Sequence, residues 1–125
     1  MTRETIETDR IAPSVGPFSA AVRAGDFLFL SGQVALDPAT GKLIAGDVGA
    51  QTEQIFSNIA AVLDAAGKSF DDVIKTNVFL ADMADFGAMN AIYGRYFQTP
   101  YPARTTIQAA GLPLGAAVEI EVVAR

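Results

Sequence analysis

Phe27-Leu28-Phe29-Leu30 is the stretch on which the fold turns. A strand that is apolar on both faces needs cover on both sides of its sheet. Just before it, apolar residues alternate around Ala20 to Ala24. Gly25-Asp26 separates the two runs, so residues 20–30 predict an antiparallel hairpin with a tight turn. Helices can cover one side of that sheet, and the other side needs something else.

Working outward, Asp37-Pro38 through Gly41 and Gly46 are rich in residues that punctuate rather than pack, and predict a loop with a second turn. From Asp47, a helix N-cap by type, Val48, Thr52, Ile55, Ile59, Val62, Leu63 and Ala66 recur at helical spacing until Gly67 supplies a left-handed stop. Val73 to Leu80 alternates as a strand, with Ile74, Thr76, Val78 and Leu80 forming a face that is apolar or β-branched throughout. A second helix, capped by Asp82, is expected to bury Phe86, Met89, Tyr93, Tyr96 and Phe97. Tyr101-Pro102 breaks it, and 103–108 and 116–124 read as a closing pair of strands around the Gly-Leu-Pro-Leu-Gly connection. The order strand, strand, helix, strand, helix, strand, strand predicts one α+β domain, residues 1–125, with two helices on one face of a mixed sheet. The apolar residues on the other sheet face then need a partner subunit, which predicts a closed oligomer.

Composition narrows the chemistry. With no His and no Cys, the chain lacks the commonest base, the commonest metal ligand, thiolate nucleophiles and disulfides. A reducing cytoplasm is compatible with that usage. Residues 1–10 are polar and charged, so neither a signal peptide nor a membrane span is expected. Nine basic against fourteen acidic side chains give a net charge of −5, and no run of Lys and Arg offers a polyanion a basic patch. Nucleic acid is therefore not an expected partner.

What remains is one fixed cation and two carboxylates in the last quarter of the chain. Alternation puts Arg104, Thr106 and Gln108 on one strand face, and Glu119 and Glu121 on one face of the expected partner strand, roughly 6.6 Å apart. An Arg and a Glu are thus expected to meet across the sheet, as a structural ion pair or as a site. An always-charged guanidinium suits a carboxylate ligand, and a carboxylate can handle a proton or a water. Two carboxylates also have a counterpart in glycosidase pairs, but i, i+2 neighbours on one strand without a sugar cleft are a weak signal. Ser31-Gly32-Gln33, ending an apolar strand, offers a hydroxyl and backbone amides. With no His beside it, Ser31 reads as a hydrogen-bonding ligand contact rather than a nucleophile. Asn90 interrupts an apolar helical stripe and so either ties down backbone or looks into a site. The phosphate-loop and dinucleotide glycine patterns are both missing.

Several separated motifs agree in order and spacing over nearly the whole chain: Gly16-Pro17-Phe18, Ser31-Gly32-Gln33, Met89 to Tyr93, Pro102-Ala103-Arg104, Leu112-Pro113 and Val118-Glu119-Ile120-Glu121. Together they resemble the reactive intermediate deaminase family, RidA, also called YjgF-like. The resemblance implies a chorismate-mutase-like fold with a sheet of about six strands, and a homotrimer with three sites at its subunit interfaces. It also implies hydrolysis of 2-imino acids, tautomers of enamines, to 2-oxo acids and ammonia, with neither metal nor cofactor. Arg104 would grip the substrate carboxylate and Glu119 would orient or deprotonate the attacking water, while Ser31, Gly32 and Asn90 would line the pocket. Two positions depart from the family pattern. Phe18 stands where a Tyr is usual and Thr106 where a Cys is often found, and both bear on substrate preference.

Two other readings use the same residues. A sensor trimer could hold small 2-oxo carboxylic acids through Arg104 without turnover. An endoribonuclease, an activity attributed to some relatives, fits an acidic chain without His poorly.

Overall fold

The computed structural model describes residues 3–125, and Met1 and Thr2, the start of the polar N-terminal stretch, lie outside it. Six strands form one mixed sheet: β1 (Glu4–Ile6), β2 (Ala21–Ala24), β3 (Phe27–Leu30), β4 (Val73–Leu80), β5 (Ala103–Gln108) and β6 (Val118–Ala124). Two helices, α1 (Val48–Ala65) and α2 (Phe86–Tyr93), pack on one face of it, as expected. β1 was not foreseen in a polar segment. It pairs antiparallel with β2 through Glu4, Thr5 and Ile6, and Ile6 alone of the three is buried.

The predicted hairpin is present. β2 and β3 pair antiparallel around Gly25-Asp26, where Gly25 takes φ 57°, a left-handed turn position. The helix from Asp47 also forms as read. The Asp47 carboxylate accepts from the Ala50 N–H at 3.0 Å, a cap whose loss costs about 1 kcal/mol. At the other end Gly67, at φ 73°, lets Gly67 N–H reach the Asp64 carbonyl and Lys68 N–H reach that of Leu63.

The second helix is shorter than its apolar pattern predicted. Asp82 caps a 3-10 turn over Met83–Asp85, accepting from Ala84 N–H, and α2 begins only at Phe86 and ends at Tyr93. Tyr96 and Phe97 lie beyond α2. Their rings pack with Phe56 and Phe70 in an aromatic cluster whose Phe56–Tyr96 pair is stacked at 4.5 Å.

The largest correction concerns strand order. β5 and β6 are not a pair: the order is β1-β2-β3-β6-β4-β5, with β4 inserted between them. β5 runs parallel to β4, as a strand reached through a helical crossover does, and β6 runs antiparallel to β4 on its other side. A register shift between Val73 and Lys75 also breaks the predicted alternation of β4. The bulge turns Val73 into the core and leaves Ile74 exposed.

The two sheet faces differ in kind. Leu28, Leu30, Thr76, Val78, Leu80, Val118, Ile120 and Val122 are buried toward α1 and α2. The opposite face carries Phe27, Phe29, Lys75, Asn77, Phe79, Ile107, Glu119 and Glu121, and Phe27, Phe29 and Ile107 are exposed. Phe27-Leu28-Phe29-Leu30 is thus covered within the chain on its leucine side only. No helix among the described residues is long and apolar enough to cross a membrane.

Candidate functional site

Arg104 projects from the edge strand β5 on the helix side, level with Thr76 of β4. Its Nη1 donates to Asn90 Oδ1 at 2.7 Å, and its guanidinium carbon lies 4.6 Å from the centre of the Tyr93 ring and 5.5 Å from that of Phe86. Tyr93 is fixed in turn by a 2.8 Å hydrogen bond between its hydroxyl and Thr76 Oγ1 in the core. A cation on an aromatic face and tied to an amide has lost most of its rotamer freedom before any ligand arrives. Among the described residues no carboxylate pairs with Arg104, because the salt bridges formed use Arg10, Arg23, Arg95 and Arg125. Asn90, Tyr93, Gly94, Tyr101, Pro102 and Arg104 line an open cavity of about 500 Å³. Asn90 is exposed rather than buried in the α2 stripe, and its side-chain oxygen is bonded to the Arg104 side chain rather than to backbone. Thr106, two residues along β5, keeps a buried hydroxyl with no hydrogen-bond partner among the described residues. Gln108, on the same face, accepts from Met83 N–H at 2.8 Å and anchors the turn that leads into α2.

Glu119 lies elsewhere. It is level with Phe79 on β4 and faces away from the helices, three residues along and two strand spacings, roughly 10 Å, across from Arg104. The cross-strand meeting expected of Arg104 and Glu119 therefore does not occur within the chain. Once β4 is inserted, the two residues occupy opposite faces of the sheet. Half-burial, and secondarily the neighbouring Glu121 charge, push the Glu119 carboxyl above its ordinary 4.5. Glu121 shares that face, as alternation predicted, and is occupied as an acceptor from Asn77 Nδ2 at 2.9 Å.

Glu119 forms part of the wall of a second cavity, about 460 Å³, together with Ser31, Gly32 and Phe18. Gly32 is required there: a Cβ would sit 2.8 Å from Glu119 Oε2, so only glycine lets the carboxylate lie against the backbone. Ser31 Oγ donates to the Ser19 carbonyl at 2.6 Å, which aims its lone pairs elsewhere and suits it to accept a hydrogen bond rather than attack. Phe18 is half exposed at the mouth. The sequence-predicted residues thus form two groups, Arg104 with Asn90 and Glu119 with Ser31, Gly32 and Phe18. One chain does not bring the groups together. Sequence reading missed Tyr93 and Phe86 as supports for Arg104, because their helical spacing marks them equally well as core. Leu114, which also lines the second cavity, takes a left-handed backbone at φ 59° that has no signature in a leucine.

A family profile described as endoribonuclease L-PSP matches residues 8–125. The chain is 46% identical over 122 residues to the mouse 2-iminobutanoate/2-iminopropanoate deaminase, covering 98% of this chain and 90% of the mouse protein. Among solved structures, it resembles RidA of an Antarctic Psychrobacter at 45% identity and TM-score 0.93, with 98% of both chains covered. A Rid family protein of Yersinia pestis aligns at 40% identity and TM-score 0.95, again with 98% of both chains covered.

Proposed function

The chain belongs to the endoribonuclease L-PSP family, alongside the mouse imine deaminase and Psychrobacter RidA, and from that membership we propose that it hydrolyses reactive 2-imino acids to 2-oxo acids and ammonia. The observation that carries the proposal is the pre-held guanidinium of Arg104, which has no carboxylate partner among the described residues. Two parallel N–H bonds from such a group would fix a substrate carboxylate and the orientation of the adjacent imine carbon.

The proposed sequence needs one base and no covalent intermediate with the protein. Glu119 takes a proton from water as the oxygen bonds to C2 of the iminium, and the C=N bond becomes a C–N single bond. Returned to nitrogen, that proton makes it a leaving group. The C–N bond breaks as the C2 hydroxyl loses its proton to Glu119, releasing ammonia and the 2-oxo acid, and that proton then passes to the ammonia to give ammonium and restore the Glu119 carboxylate. A carboxyl held above its ordinary range by burial is a stronger base than an exposed one, which suits this traffic.

Because Arg104 and Glu119 are on opposite faces of one sheet, the proposal places each site between two copies of the chain, with Arg104 and Asn90 from one and Glu119, Ser31 and Gly32 from the next. A homotrimer closed around the faces bearing Phe27, Phe29 and Ile107 supplies three such sites and covers these exposed side chains. In this reading the partners are small 2-imino and 2-oxo carboxylic acids and other copies of the chain, in the cytoplasm.

The test is 2-oxo acid formation from imines generated in situ by an L-amino-acid oxidase and trapped with semicarbazide. Faster imine decay that disappears in Arg104→Ala, with the assembly unchanged, supports the enzyme. No acceleration with any imine, together with retained 2-oxo acid binding, points to a sensor. A second reading, RNA cleavage, is supported by the family's description alone, and RNA binding that weakens steeply with salt would favour it.

A further inference from the structure

Leu114 holds a backbone conformation that leucine rarely takes, φ 59° and ψ 19°, in the middle of the Pro113–Gly115 turn. Its side chain is 69% exposed, so no packing within the chain accounts for that conformation. It lines the Glu119 cavity, as do Val15 at 85% exposure and Phe18 at 52%. Three of the chain's exposed large apolar side chains thus converge on one recess, backed by Ile11, Val34 and Leu36. Gly16 supports this arrangement. Its φ of 152° turns the chain sharply, and a Cβ there would lie 3.3 Å from the Phe18 ring, so glycine lets that ring settle against the backbone.

Of the polar members of the recess, Ser31, Gln33 and Glu119 belong to the strand end and β6 and Ser14 to the segment before Val15, whereas Val15, Phe18 and Leu114 form the outer wall. This division has a chemical consequence that rests on the imine-hydrolase reading. Water held by Glu119 must attack C2, which carries three substituents. The carboxylate goes to the guanidinium and the nitrogen must be free to leave, so the remaining substituent, the amino-acid side chain, faces the outer wall. We infer that Val15, Phe18 and Leu114 form a side-chain specificity wall, and that the preferred substrates are 2-imino acids with long apolar side chains, such as those derived from leucine, methionine or phenylalanine, rather than the alanine-derived imine.

The experiment compares kcat/KM for imines generated from L-leucine, L-methionine, L-phenylalanine and L-alanine in wild type, Leu114→Gly and Leu114→Asn. Glycine and asparagine both tolerate a left-handed backbone, so the turn survives either change. Wild type is expected to favour the leucine-derived over the alanine-derived imine by about tenfold or more, the scale of discrimination available from a few methylenes. Both variants are expected to reduce that ratio, Asn more than Gly. Equal kcat/KM for all four imines in wild type overturns the specificity wall while leaving the hydrolase reading intact. An unchanged ratio in both variants does the same. Dissociation of the assembly in both variants also overturns it, because Leu114 would then be a contact between copies. No acceleration with any imine overturns the hydrolase reading and the wall with it.

Discussion

Arg104 and Glu119 stand on opposite faces of one sheet, separated by the intervening strand β4. If the chemistry needs both, it needs two chains. Mixed assemblies test this directly. Arg104→Ala and Glu119→Gln should each be inactive alone, but unfolding and refolding them together at equal amounts should restore about a quarter of the wild-type rate, since each mixed trimer contains one site with both intact residues. Continued inactivity of an assembly shown by mass to be mixed would overturn the shared site, and with it the pairing of Arg104 and Glu119 in one reaction.

Asn90 accepts from Arg104 Nη1 at 2.7 Å, and the proposed function makes it a positioning residue for that guanidinium. Asn90→Ala should raise KM about tenfold, the scale of one hydrogen bond to a charged group, and change kcat less. Steady-state kinetics on one imine is the check, and an equal fall in kcat would instead assign Asn90 to the reacting atoms.

Gly32→Ala should leave the fold intact, because the atom a new methyl would strike, Glu119 Oε2, is the end of a flexible side chain. The displaced carboxylate should cost activity about a hundredfold, since small misplacements of a catalytic group are expensive. Melting temperature and kcat measured side by side separate the two effects.

The raised Glu119 carboxyl has consequences for both rate and stability. Burial and, second, Glu121 hold its proton more tightly in the folded chain than in the unfolded one. Its stabilising contribution is therefore complete below the ordinary carboxylate range and is lost as pH rises through the folded value. Glu119→Gln should accordingly melt at or above the wild-type temperature near neutral pH, and the difference should vanish in acid. The same group must be ionised to accept a proton, so kcat/KM should fall as pH drops through a value above 4.5. Thermal melts and a pH–rate profile provide the check.

Tyr93→Phe keeps the ring beneath Arg104 but removes the hydroxyl partner of buried Thr76. It should cost about 1–2 kcal/mol of stability, with a smaller effect on substrate binding than Asn90→Ala. Denaturant unfolding would measure the first and KM the second.

How much of this was legible beforehand follows the range of each interaction. Helix α1 was readable from end to end because Asp47, the apolar stripe and Gly67 act within a few residues of one another. The β2–β3 hairpin was equally local, set by Gly25-Asp26. Alternation also identified which residues share a face of one strand, correctly grouping Arg104 with Thr106 and Gln108, and Glu119 with Glu121. A period of two says nothing about which face meets the helices or which strand lies alongside. Those choices depend on pairing between segments that are distant in sequence, where β6 entered between β3 and β4 and the crossover through α2 carried β5 to the outer edge. The bulge at Ile74, the end of α2 at Tyr93 and the left-handed Leu114 belong to the same class, in which packing overrides local preference. The sequence alone determined helix α1, the β2–β3 hairpin and which residues share a face of each later strand. Only the tertiary structure decided that the cation and the carboxylate are kept apart, because strand order is a long-range property that no local pattern encodes.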